Sequence, residues 1–537
     1  MPNNTPTSLL TTLGEGLLVF IFTTLFVSTL WVNFFGELTW VASAFSATTA
    51  GIATTAWNIK RFSNISMAAL TVAISVFALA ITGLIAQSIF DTSYDGQNYH
   101  MSAILGLMEG WRPLLQNEPT APELHSIWVD TYPKSAWIIQ ATWSQLTSLE
   151  ASKNLNLIAI LSATLLTIGT LTQLGFSRAW STFLGLLAGL NPISMVQWPT
   201  FYNDGLVASL FTIMVVSATL ASLKGNRGAL IIFLMSAIIV AGLKFSTLVL
   251  GVAFVFFGLL AFFIRQKEHR PFLGWLTLLS LVVATVVLWE PYATNFLQNQ
   301  HPFYPLMGEN ARDIMNGNKP EALLNIPLPI QWLVGLTNIS HGLGDWTQIQ
   351  KSYMYAGVYD QRFGGFGPLM GAIFALTILL VFFMSQKTHH KGVQTAAAVV
   401  GVILVTFAIH PEGWWARYVP QMWLLPLVVA AAAISVSKAK SITRGIATLL
   451  LIIVALNTIG MTTAGHTLAK ERHQEVENDI SILLKKGTHV HTTSGSQFGA
   501  SWRRLEEQGM TVDIAPLHCE HPLSLSYSGG RKFCHTP

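Results

Sequence analysis

The sequence predicts an all-α membrane protein that crosses the bilayer many times and ends in a small α/β cap. Of its 537 residues, 51% are hydrophobic and only 10% are charged, whereas soluble domains carry about 25% charged residues. Nearly uncharged runs of about 18 or more residues recur, each long enough to cross a ~30 Å hydrocarbon core. Helices are expected because a backbone exposed to lipid must satisfy its own hydrogen bonds. An ordinary cytosolic enzyme is therefore excluded.

The apolar runs define thirteen predicted membrane spans. Their approximate ranges are 9–31, 39–57, 66–89, 155–174, 179–196, 204–222, 229–243, 248–264, 273–289, 367–384, 393–409, 418–436 and 445–464. The alternate short connections hold thirteen of the 30 Lys and Arg residues but only one of the 26 acidic residues, Glu268. Because cytoplasmic loops are enriched in Lys and Arg, these connections are predicted to face the cytoplasm. The N-terminus is then cytoplasmic, the C-terminus lies outside, and the expected location is the bacterial inner membrane.

The remaining polar sequence is predicted to lie on the outer side. Residues 1–465 form the predicted transmembrane domain, with large outer loops at 90–153 and 290–366, and residues 466–537 form the predicted cap. The cytoplasmic connections are too short to hold an active site. Any chemistry is therefore expected on the outer side.

The cap contains two short alternating stretches, 488–492 and 510–514, that predict β-strands. It also contains both cysteines of the chain, Cys519 and Cys534. In the oxidising compartment that this topology implies, a disulfide and two free thiols are equally expected.

The first outer loop brings two carboxylates and a histidine to the membrane boundary. Asp91, Asp95 and His100 follow the third span closely. Asp95 precedes Gly96, which predicts a turn, and residues 98–109 then predict a helix along the surface. A carboxylate at such a turn can approach a substrate at the lipid boundary and act as a general base. The alternative, which the sequence supports equally, is that Asp91 or Asp95 only caps the helix.

Two more ionisable residues lie at the edges of apolar spans. Asp204 begins a span, where an ionised group is costly unless it has a partner or faces water; the alternative is a helix cap favoured by the macrodipole. Lys244 lies in an apolar hairpin with no acidic residue near it in sequence. It is predicted either to reach the interface with its long side chain or to bind an anionic lipid headgroup.

Arg417 precedes a predicted span and stands among aromatic residues. A guanidinium in this position can grip a phosphate with two parallel hydrogen bonds, or it can serve as an interfacial anchor in an aromatic belt. The candidate donor- and phosphate-binding residues are Arg417, Lys244, His100, Tyr418, His301 and Arg362.

Taken in order, several segments resemble the C-type glycosyltransferase superfamily. Its members include protein O-mannosyltransferases, the lipid A aminoarabinose transferase and oligosaccharyltransferases. The segments are 94–100, 204–205, 244–245, 301–305, 364–368 and 415–418, and the likeness covers roughly residues 10–465. The resemblance implies an inverting transfer of sugar from a polyprenyl-phosphate donor, on the outer leaflet, to a glycan, lipid or protein acceptor.

The resemblance also implies roles for individual residues. Asp95, or less favoured Asp91, matches the general base, Asp204 the second acid of the site, and Arg417 and Lys244 the cations that hold the carrier phosphate. The first-loop acids are spaced Asp-x-x-x-Asp, a departure from the closer spacing of several relatives. This departure leaves the choice of base and any use of Mg²⁺ or Mn²⁺ open.

Two other functions remain alternatives. A transporter or flippase for a lipid-linked sugar is expected to carry charged residues midway along broken helices, and a surface-polysaccharide polymerase or ligase keeps the carrier but changes the acceptor. A net charge of +4 is too small and too scattered to predict a nucleic-acid partner. Membrane lipid is expected to contact the apolar spans.

Overall fold

The computed structural model describes residues 9–62, 65–116, 118–119, 121–337, 346–362, 364–385, 389–436, 441–493 and 498–535. Helices dominate these ranges, as the sequence predicts. They are α1 Leu9–Leu30, α2 Trp40–Phe62, α3 Ile65–Gln87, α4 Met101–Met108, α5 Ile127–Thr131, α6 Ser135–Ser144, α7 Asn154–Gln173, α8 Arg178–Gly189, α9 Pro192–Gln197, α10 Asp204–Lys224, α11 Arg227–Ala241, α12 Phe245–Arg265, α13 Arg270–Asn299, α14 Leu328–Thr337, α15 Trp346–Ala356, α16 Met370–Met384, α17 Lys391–Ala408, α18 Leu424–Val436, α19 Ile442–Lys486 and α20 Arg503–Glu507.

Each of the thirteen predicted spans overlaps a helix. Eight helices in the described ranges are both long and apolar enough to cross a membrane: α1, α3, α7, α10, α12, α13, α17 and α19. The chain is therefore a polytopic membrane protein, while the count of thirteen crossings stays a prediction. The fifth predicted span is divided between two helices, since α8 ends at Gly189 and α9 begins at Pro192. Asn191 caps α9, because its side chain accepts the Ile193 N–H.

Two apolar cores hold the helices together. In the first, α1 packs against α2 and α7, and α10 packs against α7, α11 and α12. In the second, α16, α18 and α19 pack together around Trp423 and Phe366. Large apolar side chains on α3 and α13, such as Phe77 and Trp275, face outward, as expected of helices in contact with lipid. The predicted loops 90–153 and 290–366 contain helices of their own, α4–α6 and α14–α15.

The predicted domain boundary at residue 465 falls inside a continuous helix. Helix α19 has 45 residues, which corresponds to about 67 Å, more than twice the ~30 Å hydrocarbon core. Its second half therefore projects beyond the membrane and carries the cap.

The cap is a four-stranded sheet with β1 His489–Thr492, β2 Thr511–Ile514, β3 Leu523–Ser524 and β4 Lys532–His535, in the order β2-β1-β4-β3. Strands β1 and β2, which the alternating pattern predicts, pair in parallel with Val490 opposite Val512. Of the two alternatives for the cysteines, the structure has the disulfide between Cys519 and Cys534. Phe90, from the loop predicted at 90–153, is buried in the apolar core of the cap. The cap is thus packed against the transmembrane domain.

Candidate active site

A cavity of about 530 Å³ opens at the end of the helix bundle where α10 and α12 begin. The basic connections lie at the other end, since Lys224 ends α10 and Arg265 ends α12. Seven aromatic side chains surround the cavity: Tyr94, Tyr99, Trp128, Tyr132, Tyr202, Tyr359 and Tyr418. Its charged lining residues are Asp95, Asp360, Lys244, Arg362, Arg417 and Arg472. Four cations against two carboxylates give the lining an excess of positive charge.

Arg417 is the centre of this charge cluster. Its Nη1 lies 3.0 Å from Asp95 Oδ2 and 3.5 Å from Asp204 Oδ2, and its Nη2 lies 3.1 Å from Asp360 Oδ1. The guanidinium stacks 4.4 Å from the ring centroid of Trp415. Burial alone would lower the pKa of Arg417, but the carboxylates, Asp360 foremost, raise it well above its usual value. Arg417 is therefore a fixed positive charge.

Lys244 has a partner that the sequence alone does not reveal. Its ammonium forms an ion pair with Asp204, the first residue of α10, and lies 4.9 Å from the ring centroid of Tyr418. No acidic residue lies near Lys244 in sequence, but the fold brings Asp204, 40 positions away, into contact with it. Asp204 is buried just behind the cavity wall and bridges Lys244 and Arg417. Its pairing explains how an ionised group is tolerated at the start of an apolar helix.

Arg362 completes the cationic side of the cavity. Its Nε pairs with Asp360, and its Nη2 donates to Asn318 Oδ1 at 2.8 Å. Trp415 Nε1 donates to the Asp360 carbonyl at 2.7 Å. The 360–362 segment is thereby fastened to the turn that carries Arg417.

The two first-loop carboxylates have different surroundings. Asp95 lines the cavity and its side chain is 20% exposed. Asp91 is fully buried, and its oxygens accept the backbone N–H groups of Ser93 and Phe201, both at 2.7 Å. Burial raises the pKa of Asp91. A Cβ on Gly96 would collide with the Asp91 carboxylate, so Asp91 and glycine together shape the turn that presents Asp95.

Neither aspartate caps the helix that follows. The Ser93 hydroxyl accepts the Gly96 N–H at 3.2 Å, and Asp95 makes no side-chain cap. The predicted surface helix is instead a short π-helical turn, Gly96–His100, followed by the buried helix α4. The capping alternative is therefore wrong for Asp95.

The two predicted histidines do not line the cavity. His100 is buried behind it, where Nδ1 accepts the Trp137 indole N–H at 2.6 Å. Burial lowers the pKa of His100 to about 3, so the ring is neutral and does not offer a cation to a phosphate. His301 lies after α13, and its Nδ1 accepts the Phe303 N–H at 3.1 Å.

The candidate residues taken from the sequence did not include two charged residues of the cavity, Asp360 and Arg472, or its two asparagines, Asn98 and Asn318. Asp360 stands two residues before the predicted Arg362, so the same motif contained it. Arg472 was missed because it lies on α19 beyond the predicted boundary at 465. Its guanidinium lies 5.4 Å from the ring centroid of Tyr359 and 5.0 Å from that of Tyr527.

The cavity residues do not fit a divalent cation as they are arranged. Mg²⁺ and Mn²⁺ require several oxygen ligands around one point, whereas the carboxylates of Asp95, Asp204 and Asp360 converge on the guanidinium of Arg417. In the ranges that the structure describes, no group of three or more His, Cys, Asp or Glu side chains could hold a metal ion.

Fold and site together define a polytopic membrane protein with a polar, ion-paired cavity at one end of its helix bundle. Solved structures that are similar to it include those of ArnT from Cupriavidus metallidurans bound to undecaprenyl phosphate and in the apo state. Each is 14% identical in sequence to this protein, and each alignment covers 83% of this chain. The alignment covers 86% of the chain with bound undecaprenyl phosphate, with a TM-score of 0.42, and 89% of the apo chain, with a TM-score of 0.43. The aminoarabinose transferase is one of the proteins that the sequence resembles. Neither a protein-family model nor a curated protein matches the sequence.

Proposed function

We propose that the protein is a membrane glycosyltransferase that moves a sugar from a polyprenyl-phosphate donor to an acceptor hydroxyl at the outer face of the bacterial inner membrane. One observation carries the proposal: the buried guanidinium of Arg417 stands between Asp95 and Asp360 on the wall of a cavity with excess positive charge. Such a wall supplies the two groups that the transfer needs, a base for the acceptor and fixed cations for the leaving phosphate.

Asp95 is the general base in this proposal. The acceptor oxygen attacks the anomeric carbon and gives its proton to the Asp95 carboxylate. The bond between the anomeric carbon and the phosphate oxygen breaks, and its electron pair leaves with the polyprenyl phosphate. Attack from the face opposite the leaving group inverts the anomeric configuration. Asp91, buried and occupied by backbone N–H groups, acts as a positioning residue for this segment.

The cations hold the phosphate and also release the base. Arg417 and Lys244 are paired with carboxylates in the structure, so an entering phosphate competes for their N–H groups. When Arg417 turns its N–H groups from Asp95 toward phosphate oxygens, the Asp95 carboxylate becomes free to accept a proton. Donor binding thereby prepares the base. Arg362 is the third cation, placed beside Asp360 at the same wall.

The aromatic lining suits the sugar. Flat faces of Tyr and Trp stack on the apolar faces of sugar rings, and their hydroxyl or N–H groups supply polar contacts. Tyr202 and Trp128 both line the cavity. The acceptor, whether a glycan, a lipid or a protein, enters the same space from the side of Asp95.

The test measures release of polyprenyl phosphate by purified protein in liposomes supplied with a panel of polyprenyl-phosphate sugars and acceptors. Asp95→Asn is expected to slow release by roughly 10²–10⁴-fold while donor binding is retained. Asp513→Asn is the matched control, because Asp513 lies exposed on β2 of the cap, outside the cavity lining.

Full release by Asp95→Asn contradicts the role of Asp95. Movement of the intact lipid-linked sugar across the bilayer without release of polyprenyl phosphate would replace the transferase with a transporter.

A further inference from the structure

A second cavity, of about 700 Å³, lies at the opposite end of the helix bundle. Helix α10 runs from one cavity to the other. Its first residue, Asp204, pairs with Arg417 at the cavity of the candidate active site (the active cavity), and its last residue, Lys224, lines the second cavity. Its 21 residues correspond to about 31 Å. The second cavity therefore lies at the end that the basic connections place in the cytoplasm.

The cavity has apolar walls and a basic mouth. Its walls are formed by residues of α7, α10, α17 and α18, among them Leu171, Val215, Val399 and Val428. Its volume is within the range of roughly 300–1,000 Å³ that is usual for small-molecule sites. The apolar part lies between helices rather than under a loop, so an alkyl chain entering from the bilayer can occupy it.

Three cations are among the residues that line this cavity, each at or near the end of a helix. Lys224 ends α10, Lys391 begins α17, and Arg444 is in the first turn of α19. Among the described lining residues none is acidic, and no ion pair found in the described ranges includes these three cations. Arg444 lies 5.8 Å from the ring centroid of Trp180, an aromatic residue of the kind enriched at membrane interfaces. Arg417, Lys244 and Arg362 are paired with carboxylates, whereas these three cations have no carboxylate partner among the described residues.

We propose that this cavity binds one anionic phospholipid of the cytoplasmic leaflet, with its phosphate against Lys224, Lys391 and Arg444 and an acyl chain between α10, α17 and α18. Basic pockets between transmembrane helices on the cytoplasmic side are suited to anionic headgroups. A soluble phosphate would engage the mouth and leave the apolar walls uncovered, which is why a lipid fits better. The proposal does not depend on the reaction at the active cavity.

The experiment uses native mass spectrometry of the full-length protein released from nanodiscs of phosphatidylcholine that contain a minority of phosphatidylglycerol. The wild type is expected to retain one phosphatidylglycerol. The triple variant Lys224→Gln, Lys391→Gln, Arg444→Gln is expected to lose it, with at least a tenfold fall in the bound fraction.

The matched control is the triple variant Lys60→Gln, Arg265→Gln, Lys267→Gln. It removes the same charge from exposed residues of the same face that do not line the cavity, and it is expected to retain the lipid. Equal retention by both triple variants, or equal loss, overturns the site.

A third variant, Val399→Trp, fills the apolar part and leaves the three cations in place. It is expected to lose the lipid as well. If it retains phosphatidylglycerol, or if inorganic phosphate displaces the lipid from the wild type, the cavity is only a surface anion site and the proposal is wrong. Thermal unfolding in detergent, compared across all variants, separates loss of binding from loss of fold.

Discussion

Two arginines of this protein are buried among polar partners, yet their surroundings differ. Arg504, from the cap, donates from Nε to Glu150 Oε1 at 3.0 Å, from Nη1 to Gln97 Oε1 at 2.9 Å and from Nη2 to the Asp91 carbonyl. Arg417 faces three carboxylates, but its buried Nε has no acceptor among the described residues. Each nitrogen of the Arg504 guanidinium therefore has an acceptor, whereas the Nε of Arg417 has none among the described residues.

The charges around the two arginines differ in the same way. Glu150 also pairs with Lys153 at 2.6 Å, and Asp91 is buried beside them. The cations Arg504 and Lys153 thus stand against the acidic residues Glu150 and Asp91 in a region closed to solvent. Around Arg417 the carboxylates of Asp95 and Asp360 remain 20% and 29% exposed. A closed, satisfied network stabilises the fold, while an open and incompletely bonded one is able to exchange partners with a ligand.

The largest effect is expected at the closed network. Replacing Arg504 with Met leaves Glu150 and Gln97 buried with lost partners, and breaking a buried ion pair costs about 3–5 kcal/mol. Thermal unfolding in detergent measures the change. Arg503→Met is the neighbouring control, because Arg503 is 28% exposed and surface ion pairs contribute at most about 1 kcal/mol. Equal destabilisation by both variants would remove the distinction between the two regions.

A smaller and different effect is expected at the open cluster. Arg417→Lys keeps the charge but loses the planar fork, and a hydrogen bond to a charged group contributes about 1.5–3 kcal/mol. Affinity for polyprenyl phosphate is therefore expected to fall by about tenfold or more, with a smaller loss of thermal stability than Arg504→Met causes. Unchanged affinity would leave Arg417 as an interfacial anchor.

A third prediction concerns pH and the dry region behind the cavity. Burial lowers the pKa of His100 to about 3, whereas in the unfolded chain it is about 6.5. Below pH 6.5 the unfolded state binds more protons, so stability falls as the pH falls toward 3. His100→Gln is expected to flatten this dependence in pH-resolved thermal unfolding. Burial also lowers the pKa of His410, to about 4, so His410 contributes to the pH dependence of stability with the same sign, and His410→Gln measures its contribution. If the pH dependence of the unfolding temperature is the same in His100→Gln as in the wild type, water reaches His100 in the folded protein.

The smallest effect is expected from metal removal. Because Arg417 occupies the point on which the three carboxylates converge, a chelator such as EDTA is expected to leave both donor binding and transfer unchanged. Transfer that stops with EDTA and returns with Mg²⁺ or Mn²⁺ would show that ligand binding rearranges the cluster into a metal site.

The sequence predicts the helices well and the cavity in part. Apolar runs and basic connections depend on local composition, and for this reason every predicted span meets a helix. The contacts of Arg417 join residues 322 and 213 positions apart, and no periodicity in one sequence encodes such pairs. Asp95, Lys244, Arg362, Arg417 and Tyr418 were predicted as candidates and line the cavity, but the pairing of Lys244 with Asp204 depends on tertiary packing.

The docking of the cap was missed for a related reason. The fall in hydropathy at residue 465 is real, but a change from apolar to polar surface does not end a helix. Helix α19 continues to Lys486 and brings Arg472 to the cavity, and the cap then brings Arg504 to Asp91. Composition alone marks where the apolar sequence ends and not the limit of a folding unit.

The continuity of α19 has a practical consequence for any shortened version of the protein. Cutting the chain at residue 465 would not detach an accessory module. It would remove Arg472 from the lining of the cavity, uncover the aromatic ring of Phe90 and leave Glu150 without Arg504. The transmembrane part and the cap therefore have to be expressed together. Purification tags and reporters belong after residue 535, where the last strand ends, and a fragment that stops earlier is expected to accumulate as a misassembled product.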